Sequence, residues 1–389
     1  MESSIFVTQV ETFDFAIIGA GMAGASAAYF LAGEGRVVLL EMESQPGYHT
    51  TGRSAALYTE AYGNAPIRAL TSSGRKFLTE PPDGFSEAPI LSPRGVMFIG
   101  REDQLAALEE VYTSASENVD TIQRLTEAEV RERVPVVRPG YAAAGVLEAD
   151  AMDMDVNALH QGFLRGARRS GTQLRPNARV EKLERDGGAW RIHVGQEQFL
   201  AKVVINAAGA WCDVVADLAG AQRVGLVPKR RTAILFDGPP GQNFADWPAL
   251  IDGDEEFYAR PESGALMGSP ADETPMEPCD VQPEELDIAI AVDRLQQATT
   301  LEIRRIIRSW AGLRSFVADK TPVVGFDPGV DGFFWLAGQG GYGIQTAPSM
   351  GRVSAALASG KEVPDDLKAF GVAAADLSPA RFASQNGES

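Results

Sequence analysis

The pattern of hydrophobic and polar positions near the start of the chain predicts an α/β unit. The apolar run FDFAII (13–18) predicts a short buried strand, and a glycine-rich turn follows it at once. Small and apolar residues from Met22 to Leu31 then predict a helix packed closely on a sheet, and RVVLLE (36–41) predicts a second buried strand. A strand, turn, helix and strand in this order are typical of a parallel α/β sheet.

Further strand-like runs divide the rest of the chain into two kinds of sheet. KVVINAAGAW (202–211) and FFWLAGQGGYGIQTAPSMG (333–351) each begin as a buried strand and continue into a glycine-containing turn. RTAILFD (231–237) and EFYAR (256–260) instead suggest strands of a separate, antiparallel sheet. Proline and glycine are frequent at 81–100, where the composition changes. A chain of 389 residues is long enough for the two domains that this pattern predicts.

Composition and charge limit the classes of function. The chain is 44% hydrophobic and 23% charged, as is ordinary for a soluble globular protein, and its net charge of -18 argues against nucleic-acid binding. A basic pocket for a small substrate remains compatible with that charge. The two cysteines, Cys212 and Cys279, form no Cys-x-x-Cys pair, and there are only three histidines. We therefore expect no disulfide framework and no metal site, and a reducing cytoplasm as the location.

One uncharged segment is long enough to be mistaken for a membrane span. FAIIGAGMAGASAAYFLAG (15–33) could cross a bilayer by its length alone. The acidic residues Glu2, Glu11 and Asp14 stand where a signal peptide would carry positive charge. Its glycines also fit a nucleotide-binding turn, so we predict neither a membrane span nor a signal peptide.

The hexamer GAGMAG (19–24) matches the G-x-G-x-x-G pattern of dinucleotide-binding proteins. Gly19 permits the tight turn, Gly21 lets a pyrophosphate approach the backbone, and Gly24 lets the helix lie close to the strand. Glu41 ends the second strand, where it can accept hydrogen bonds from ribose hydroxyls. A glycine turn of purely structural use is the alternative, and the flanking strands and Glu41 make it less favoured. The hexamer predicts an adenine dinucleotide without choosing between NAD and FAD.

Two later glycine turns favour FAD. NAAG (206–209) ends a strand far downstream, where its glycine could pass under the same nucleotide. The cluster GQGGYG (338–343) precedes a helix and offers backbone amides to the anionic edge of a flavin ring. NAD enzymes rarely need such a C-terminal turn, whereas the extended FAD molecule needs contacts from several parts of the chain. The alternative is three unrelated strand-to-helix turns.

Seven segments together resemble the FAD-dependent D-amino acid oxidase superfamily, and within it most of all the bacterial D-arginine dehydrogenases. The resemblance runs over nearly the whole chain in one register, so it is specific for the family and only suggestive for the substrate. The segments are GAGMAG with Glu41, GYHTTGRSAALYTEAYG (47–63), INAAGAWCD (205–213), PKRR (228–231), EEFYARP (255–261), WAGLRSFVAD (310–319) and QGGYGIQT (339–346).

The resemblance implies an α/β fold of the D-amino acid oxidase type. It has a Rossmann-like FAD-binding domain, assembled from separated segments, and an α+β substrate domain with a mixed or antiparallel sheet. Members of the family oxidise an amino acid to an imino acid by hydride transfer from Cα to flavin N5, and the product hydrolyses to a 2-oxo acid and ammonia. We expect the FAD-binding domain at 1–80, 150–225 and 315–376, the substrate domain at 81–149 and 226–314, and a loose tail at 377–389.

The cofactor contacts implied by the resemblance are mostly backbone groups and small side chains. By position in the matching motifs they are Gly19, Gly21, Met22, Ala23, Gly24, Glu41, Thr50, Thr51, Arg53, Ser54, Ala55, Ala56, Val180, Ala208, Gly209, Gly312, Gly340, Gly341, Gly343, Ile344 and Thr346.

An amino-acid substrate needs its carboxylate held in place, and the planar fork of arginine can pair both oxygens at once. The resemblance implies that Arg314, Arg231 and Tyr258 bind this carboxylate, that Tyr62 faces the substrate, and that the carbonyl of Gly341 accepts from the amine. The apolar neighbours of Arg314 argue against an ordinary exposed charge. Tyr62 could instead be a core tyrosine, and Arg231 could belong to a solvated basic run.

Two departures from D-arginine dehydrogenase bear on the substrate. Leu57 stands where that enzyme has a histidine near the substrate amine, and Val96 stands where it has a glutamate that pairs with the guanidinium. A guanidinium buried without a partner is costly, so we expect D-arginine and D-lysine to be poor substrates. Apolar side chains such as those of D-leucine, D-methionine or D-phenylalanine are favoured. The alternative is that both residues are core and that another carboxylate, such as Glu60, reaches the pocket.

The sequence thus predicts a soluble, cytoplasmic, FAD-dependent D-amino acid dehydrogenase with an apolar pocket and an electron acceptor that could be a quinone, a dye or another protein. One alternative is oxidation of a secondary amine such as sarcosine, proline or an N-alkyl amino acid, with Leu57 packed against the N-alkyl group. Another is a flavin-binding subunit whose partner completes the site, and an NAD-binding protein is the least favoured.

Overall fold

Helices and strands of the computed structural model cover most of the chain, which is described over residues 10–117 and 119–386. The strands are β1 Glu11–Ile18, β2 Val37–Leu40, β3 Leu57–Tyr58, β4 Leu91–Pro93, β5 Val96–Gly100, β6 Ile122–Thr126, β7 Ala144–Glu148, β8 Met152–Met154, β9 Gln173–Arg175, β10 Lys182–Asp186, β11 Ala189–Val194, β12 Glu197–Asn206, β13 Val227–Phe236, β14 Ala249–Asp252, β15 Tyr258–Glu262, β16 Ala265–Ser269, β17 Thr274–Pro275, β18 Ile306–Phe316, β19 Val323–Phe326 and β20 Phe333–Ala337.

The helices connect these strands and pack on the sheets. They are α1 Met22–Leu31, α2 Ala65–Thr79, α3 Leu105–Ser116, α4 Glu127–Arg133, α5 Val156–Arg169, α6 Cys212–Ala219, α7 Glu285–Ala298, α8 Ala347–Ala358, α9 Asp365–Lys368 and α10 Ala374–Leu377. Short 3₁₀ helices lie at Thr51–Arg53, Glu102–Gln104, Gly209–Trp211 and Pro379–Asn386.

The first sheet has parallel strands at its centre, as the opening of the sequence predicts. β1 lies between β2 and β12, and β20 continues the parallel arrangement beside the end of β12. Alternate residues of β1 point to opposite faces: Ile17 packs with α1, α5 and α8, whereas Ile18 packs with α6. Because both faces are covered, the strand is apolar throughout its second half.

The second sheet is mostly antiparallel and follows the order β17-β13-β16-β15-β14-β5-β7-β6, with β18 paired to β13. Helix α7 packs on one face, where Leu295 meets Ile234 and Phe236 in a buried cluster. β3, β8 and β4 form a small third sheet. The predicted α/β fold with a Rossmann-like unit and a separate mixed sheet is therefore confirmed, whereas the domain boundaries stay predictions.

Several local predictions agree closely with the structure, and one does not. Helix α1 spans Met22–Leu31 as predicted, and the strand predicted at 231–237 begins earlier, at Val227. The prediction of a loose tail is wrong for the described residues at its start, because Leu377 is buried and Arg381 donates to the carboxylate of Asp319 at 2.8 Å.

Among the described residues, no helix is both long and apolar enough to cross a membrane.

Candidate active site

A cavity between the two sheets gathers most of the residues that the sequence singles out. Its wall combines the β1–α1 turn, the end of β2 and the loop 47–57 with side chains of β13, β15 and β18 and the turn at 339–345. One end of this cavity is built mainly from backbone, and we call it the nucleotide end. The other end is built from arginine, tyrosine and apolar side chains, and we call it the substrate end.

Each of the three glycines in the β1–α1 turn is required for a different structural reason. Gly19 has a φ of 100°, and a Cβ there would lie 2.5 Å from the carbonyl oxygen of Ala207. A Cβ on Gly24 would lie 1.8 Å from the carbonyl oxygen of Gly19, so Gly24 serves helix packing and does not line the cavity. Gly21 lines the cavity just before α1, whose first amides have no partner within the helix. That arrangement suits an anion such as a pyrophosphate.

Glu41 is held at the cavity wall by backbone amides. One carboxylate oxygen accepts from the amide of Ala20 at 2.8 Å, and the other accepts from the amide of Glu43 at 3.0 Å. Burial raises the pKa of the Glu41 carboxyl, while these two bonds oppose that shift. The fixed carboxylate retains acceptor capacity for hydroxyl donors, as the predicted contact with ribose requires.

The loop at 47–57 is anchored to the start of helix α1 and to strand β18. The Thr51 hydroxyl accepts from the amide of Met22 at 3.0 Å, and the Thr50 hydroxyl donates to the carbonyl of Leu313 at 2.8 Å. The guanidinium of Arg53 donates to the carbonyl of Val281 at 2.8 Å and pairs with the carboxylate of Asp280. Its positive charge is therefore already neutralised by a residue of the chain. These contacts hold the loop in place along the cavity wall.

Arg314 is the central side chain of the substrate end. Its Nη2 donates to the hydroxyl of Tyr62 at 2.9 Å, while its buried Nη1 has no hydrogen-bond partner. Only 13% of the side chain is exposed. Burial would lower the pKa of the guanidinium, but the nearby hydroxyl oxygens of Tyr62, Tyr258 and Tyr342 raise it overall, so the group stays charged. A buried cation with an open donor fits a carboxylate ligand.

Gly341 lies directly against this guanidinium. A Cβ at position 341 would be 1.8 Å from Nη2 of Arg314. The neighbouring amide of Gly340, which has a φ of 53°, donates to the carbonyl of Ser315 at 2.9 Å. These contacts join the C-terminal glycine turn to β18, and they require glycine where the two chain segments meet.

Sheet alternation separates the arginines of the basic run at 229–231. Arg230 is 3% exposed and pairs with acidic residues away from the cavity, whereas Arg231 lines the cavity beside Tyr258. The Nε of Arg231 donates to the carbonyl of Asp272 at 2.9 Å, and Nη2 donates to Glu273 at 3.2 Å. The alternative of a solvated basic run is therefore wrong for Arg231, but its guanidinium is more fully paired than that of Arg314.

Apolar side chains form the rest of the substrate end, with one correction to the sequence prediction. Leu57 lines the cavity as predicted, but Val96 does not. Val96 is completely buried in the sheet core, and Phe98, two residues further along β5 on the same face, lines the cavity instead. Alternation along β5 puts Val96 and Phe98 on the same face, and only the tertiary structure shows which of the two lines the cavity.

A buried carboxylate behind the cavity wall escaped the sequence prediction. Glu148 is 2% exposed and accepts from the hydroxyl of Thr59 at 2.5 Å and from the amide of Glu60 at 2.9 Å. Burial raises the pKa of Glu148 to about 6. Thr59 lines the cavity, whereas Glu60, the alternative carboxylate considered from the sequence, accepts from Tyr58 at 2.5 Å and does not line it.

Nearly all of the sequence-predicted site residues line this one cavity. The exceptions are Gly24, Val96 and Thr346, whose hydroxyl donates to the carbonyl of Tyr342 at 2.9 Å. Arg260 and Glu255 also line it, and Arg260 pairs with Asp153.

The family follows from a comparison with known proteins. Residues 14–357 match the family model described as FAD dependent oxidoreductase. The chain belongs to this family. FAD is its cofactor, and the amide-rich turn, the fixed Glu41 carboxylate and the glycine backbone beside Arg314 fit the two ends of that molecule. The expectation of FAD is confirmed.

The relatives of this family member differ in substrate. The chain is 24% identical to N-methyl-L-tryptophan oxidase of Salmonella dublin over 379 residues, which cover 92% of this chain and 98% of the relative. Glycine oxidase from Geobacillus kaustophilus has a TM-score of 0.80 at 21% identity, with 93% and 98% of the two chains covered. L-proline dehydrogenase from P. horikoshii has a TM-score of 0.80 at 18% identity, with 97% and 99% covered. These matches support the superfamily and do not single out D-arginine dehydrogenase.

Proposed function

We propose that the chain oxidises the secondary amine of an N-alkylated or cyclic α-amino acid to the corresponding imine, with FAD as cofactor. The observation that carries the proposal is the buried Nη1 of Arg314, a charged donor without a hydrogen-bond partner at an apolar cavity end. A buried charged donor of this kind can bind the carboxylate of an amino-acid substrate. The N-methyl-L-tryptophan oxidase among its relatives supports a secondary amine in preference to the D-amino acid that the sequence alone favours.

In this proposal the chain binds and orients the substrate. Arg314 and Tyr62, already hydrogen-bonded to each other, receive the carboxylate, and Tyr258 borders the same space. The carbonyl of Gly341 accepts from the amine, which reacts in its neutral form. Leu57 packs against the N-alkyl group and excludes water from the amine. When bound, FAD supplies the acceptor for the hydride that leaves the substrate.

A second candidate is oxidation of a primary D-amino acid with an apolar side chain. It is favoured by the apolar lining of the substrate end, where Leu57 and Phe98 would suit the side chain of D-leucine. Both candidates use the same carboxylate site, so they differ only in whether the cavity requires an N-alkyl group.

Matched substrates separate the two candidates. The FAD-loaded protein is mixed without oxygen with D-leucine, L-leucine, their N-methyl derivatives, sarcosine and L-proline, and the loss of flavin absorbance is followed. We expect an N-methyl or cyclic amino acid to reduce the flavin at least roughly tenfold faster than the primary amines, as a filled apolar contact predicts. Faster reduction by D-leucine than by every secondary amine would reject the proposal in favour of the second candidate.

A result with no reduction by any compound would reject both candidates. It would move support to a flavin-binding subunit whose partner completes the site. If a substrate is found, adding oxygen, a quinone or a dye to the reduced protein identifies the class of electron acceptor.

A further inference from the structure

A carboxylate of the chain itself lies beside the arginines of the substrate end. Oε1 of Glu273 is 3.2 Å from Nη2 of Arg231 and 3.7 Å from Nη1 of Arg314. Its other oxygen accepts from Nζ of Lys229 at 2.7 Å. Burial would raise the pKa of the Glu273 carboxyl, but these cations hold it below its usual range, so the group carries a negative charge at neutral pH.

The backbone around Glu273 is fixed on β13. The side-chain carboxylate of the preceding Asp272 accepts from the amide of Thr232 at 2.6 Å. The backbone carbonyl of Asp272 accepts from Nε of Arg231. The following Thr274–Pro275 pairs with β13 as strand β17. The side chain of Glu273, by contrast, is 36% exposed, so its carboxylate can rotate toward solvent while the backbone stays in place.

The distances distinguish the two arginines. Arg231 makes a hydrogen bond to Glu273, whereas Nη1 of Arg314 is too far from it for one and stays without a partner. A ligand carboxylate on Nη1 of Arg314 would therefore lie close to the negative charge of Glu273. To bond Nη2 of Arg231 as well, it would have to displace Glu273 from that atom.

We propose that Glu273 is an internal competitor of the substrate carboxylate and sets the affinity of the substrate end for carboxylates. In the free protein it occupies Arg231 and lowers the positive potential at Arg314. The bound substrate relies on Arg314, or it displaces the Glu273 carboxylate toward solvent. This inference rests on the proposed function only in assigning the substrate carboxylate to the arginine pair.

The test is a binding titration that needs no turnover. FAD-loaded wild-type protein, Glu273→Gln and the control Glu277→Gln are titrated with cyclohexanecarboxylate, a carboxylate without an amine, and the change in the flavin spectrum gives Kd. Glu277→Gln makes the same charge change at an exposed position, four residues further along the chain in the segment between β17 and α7. A fourth protein, Arg314→Ala, establishes that the probe binds at the arginine pair.

We expect Glu273→Gln to bind the probe roughly three- to thirtyfold more tightly than wild type, because a like charge near a partly buried site is removed. The gain should shrink as the salt concentration rises, and Glu277→Gln should stay within about twofold of wild type. Where a substrate is known, its KM should fall in Glu273→Gln with little change in kcat.

Other outcomes overturn the inference. Weaker binding in Glu273→Gln would mean that Glu273 positions the arginines, and unchanged binding would mean that its charge does not reach the site. The absence of probe binding in all four proteins would reject it as well. Failure of every amine to reduce the flavin rejects the proposed function separately, because the titration measures binding alone.

Discussion

The two ends of the cavity are built by different means. At the nucleotide end, the lining consists largely of backbone amides, glycines and one carboxylate fixed by amides, and much of it belongs to the β1–α1–β2 unit. At the substrate end, Tyr62, Arg231, Tyr258 and Arg314 come from segments separated by up to 252 residues. Backbone contacts can be kept by many sequences, whereas the substrate end depends on the identity of a few side chains.

This difference explains why the family and the cofactor are easier to establish than the substrate. Oxidoreductases of one fold share the same backbone cradle for FAD and vary the side chains around the substrate. The following substitutions test whether the two ends are as separable as the structure indicates.

The largest expected effect is at the substrate end. Arg314→Ala removes the buried cation that we propose receives the substrate carboxylate, so we expect kcat/KM to fall by roughly 10³-fold, the loss of a buried charged contact. FAD content should not change. Arg308→Ala, an exposed arginine on the same strand, serves as the control. Steady-state kinetics that show less than a tenfold loss in Arg314→Ala would remove this residue from the carboxylate site.

A smaller effect is expected at the nucleotide end. In Gly21→Ala the new Cβ would lie 3.3 Å from the Thr51 hydroxyl, at the cavity wall where we expect the pyrophosphate. We expect FAD to bind roughly 10- to 100-fold more weakly, the usual cost of overfilling a close contact, with an unchanged far-ultraviolet circular dichroism spectrum. Gly33→Ala is the control, because its Cβ would have no neighbour within 4 Å. Equal FAD affinity in both variants would contradict the assignment of Gly21.

The smallest expected effect concerns selectivity. Phe98→Ala enlarges the cavity, so the ratio of kcat/KM for N-methyl-L-phenylalanine to that for N-methyl-L-alanine should rise by roughly tenfold. Val96→Ala, on the same face of the same strand, should lower the thermal unfolding temperature and leave that ratio unchanged. A shift in the ratio for Val96→Ala alone would restore the pocket role that the sequence suggests for Val96.

The sequence by itself determined the fold class and the cofactor. Helix α1 and the glycine turn before it follow from six neighbouring residues and the strands on either side, because periodicity and backbone conformation are local properties. Glu41 follows from its place at the end of β2. The family resemblance, which motifs along the whole chain carry, also implied that Arg314, Tyr62 and Gly341 share one site, and in the structure Arg314 contacts both of the others.

Only the tertiary structure decided which side chains line the substrate end of the cavity and which charges are already paired. The pairing of Glu273 with Arg231, the burial of Glu148 behind Thr59 and the replacement of Val96 by Phe98 at the cavity wall depend on how distant strands are aligned. A shift of one residue in a strand turns every side chain to the other face, and no local pattern specifies that alignment between segments far apart in the chain.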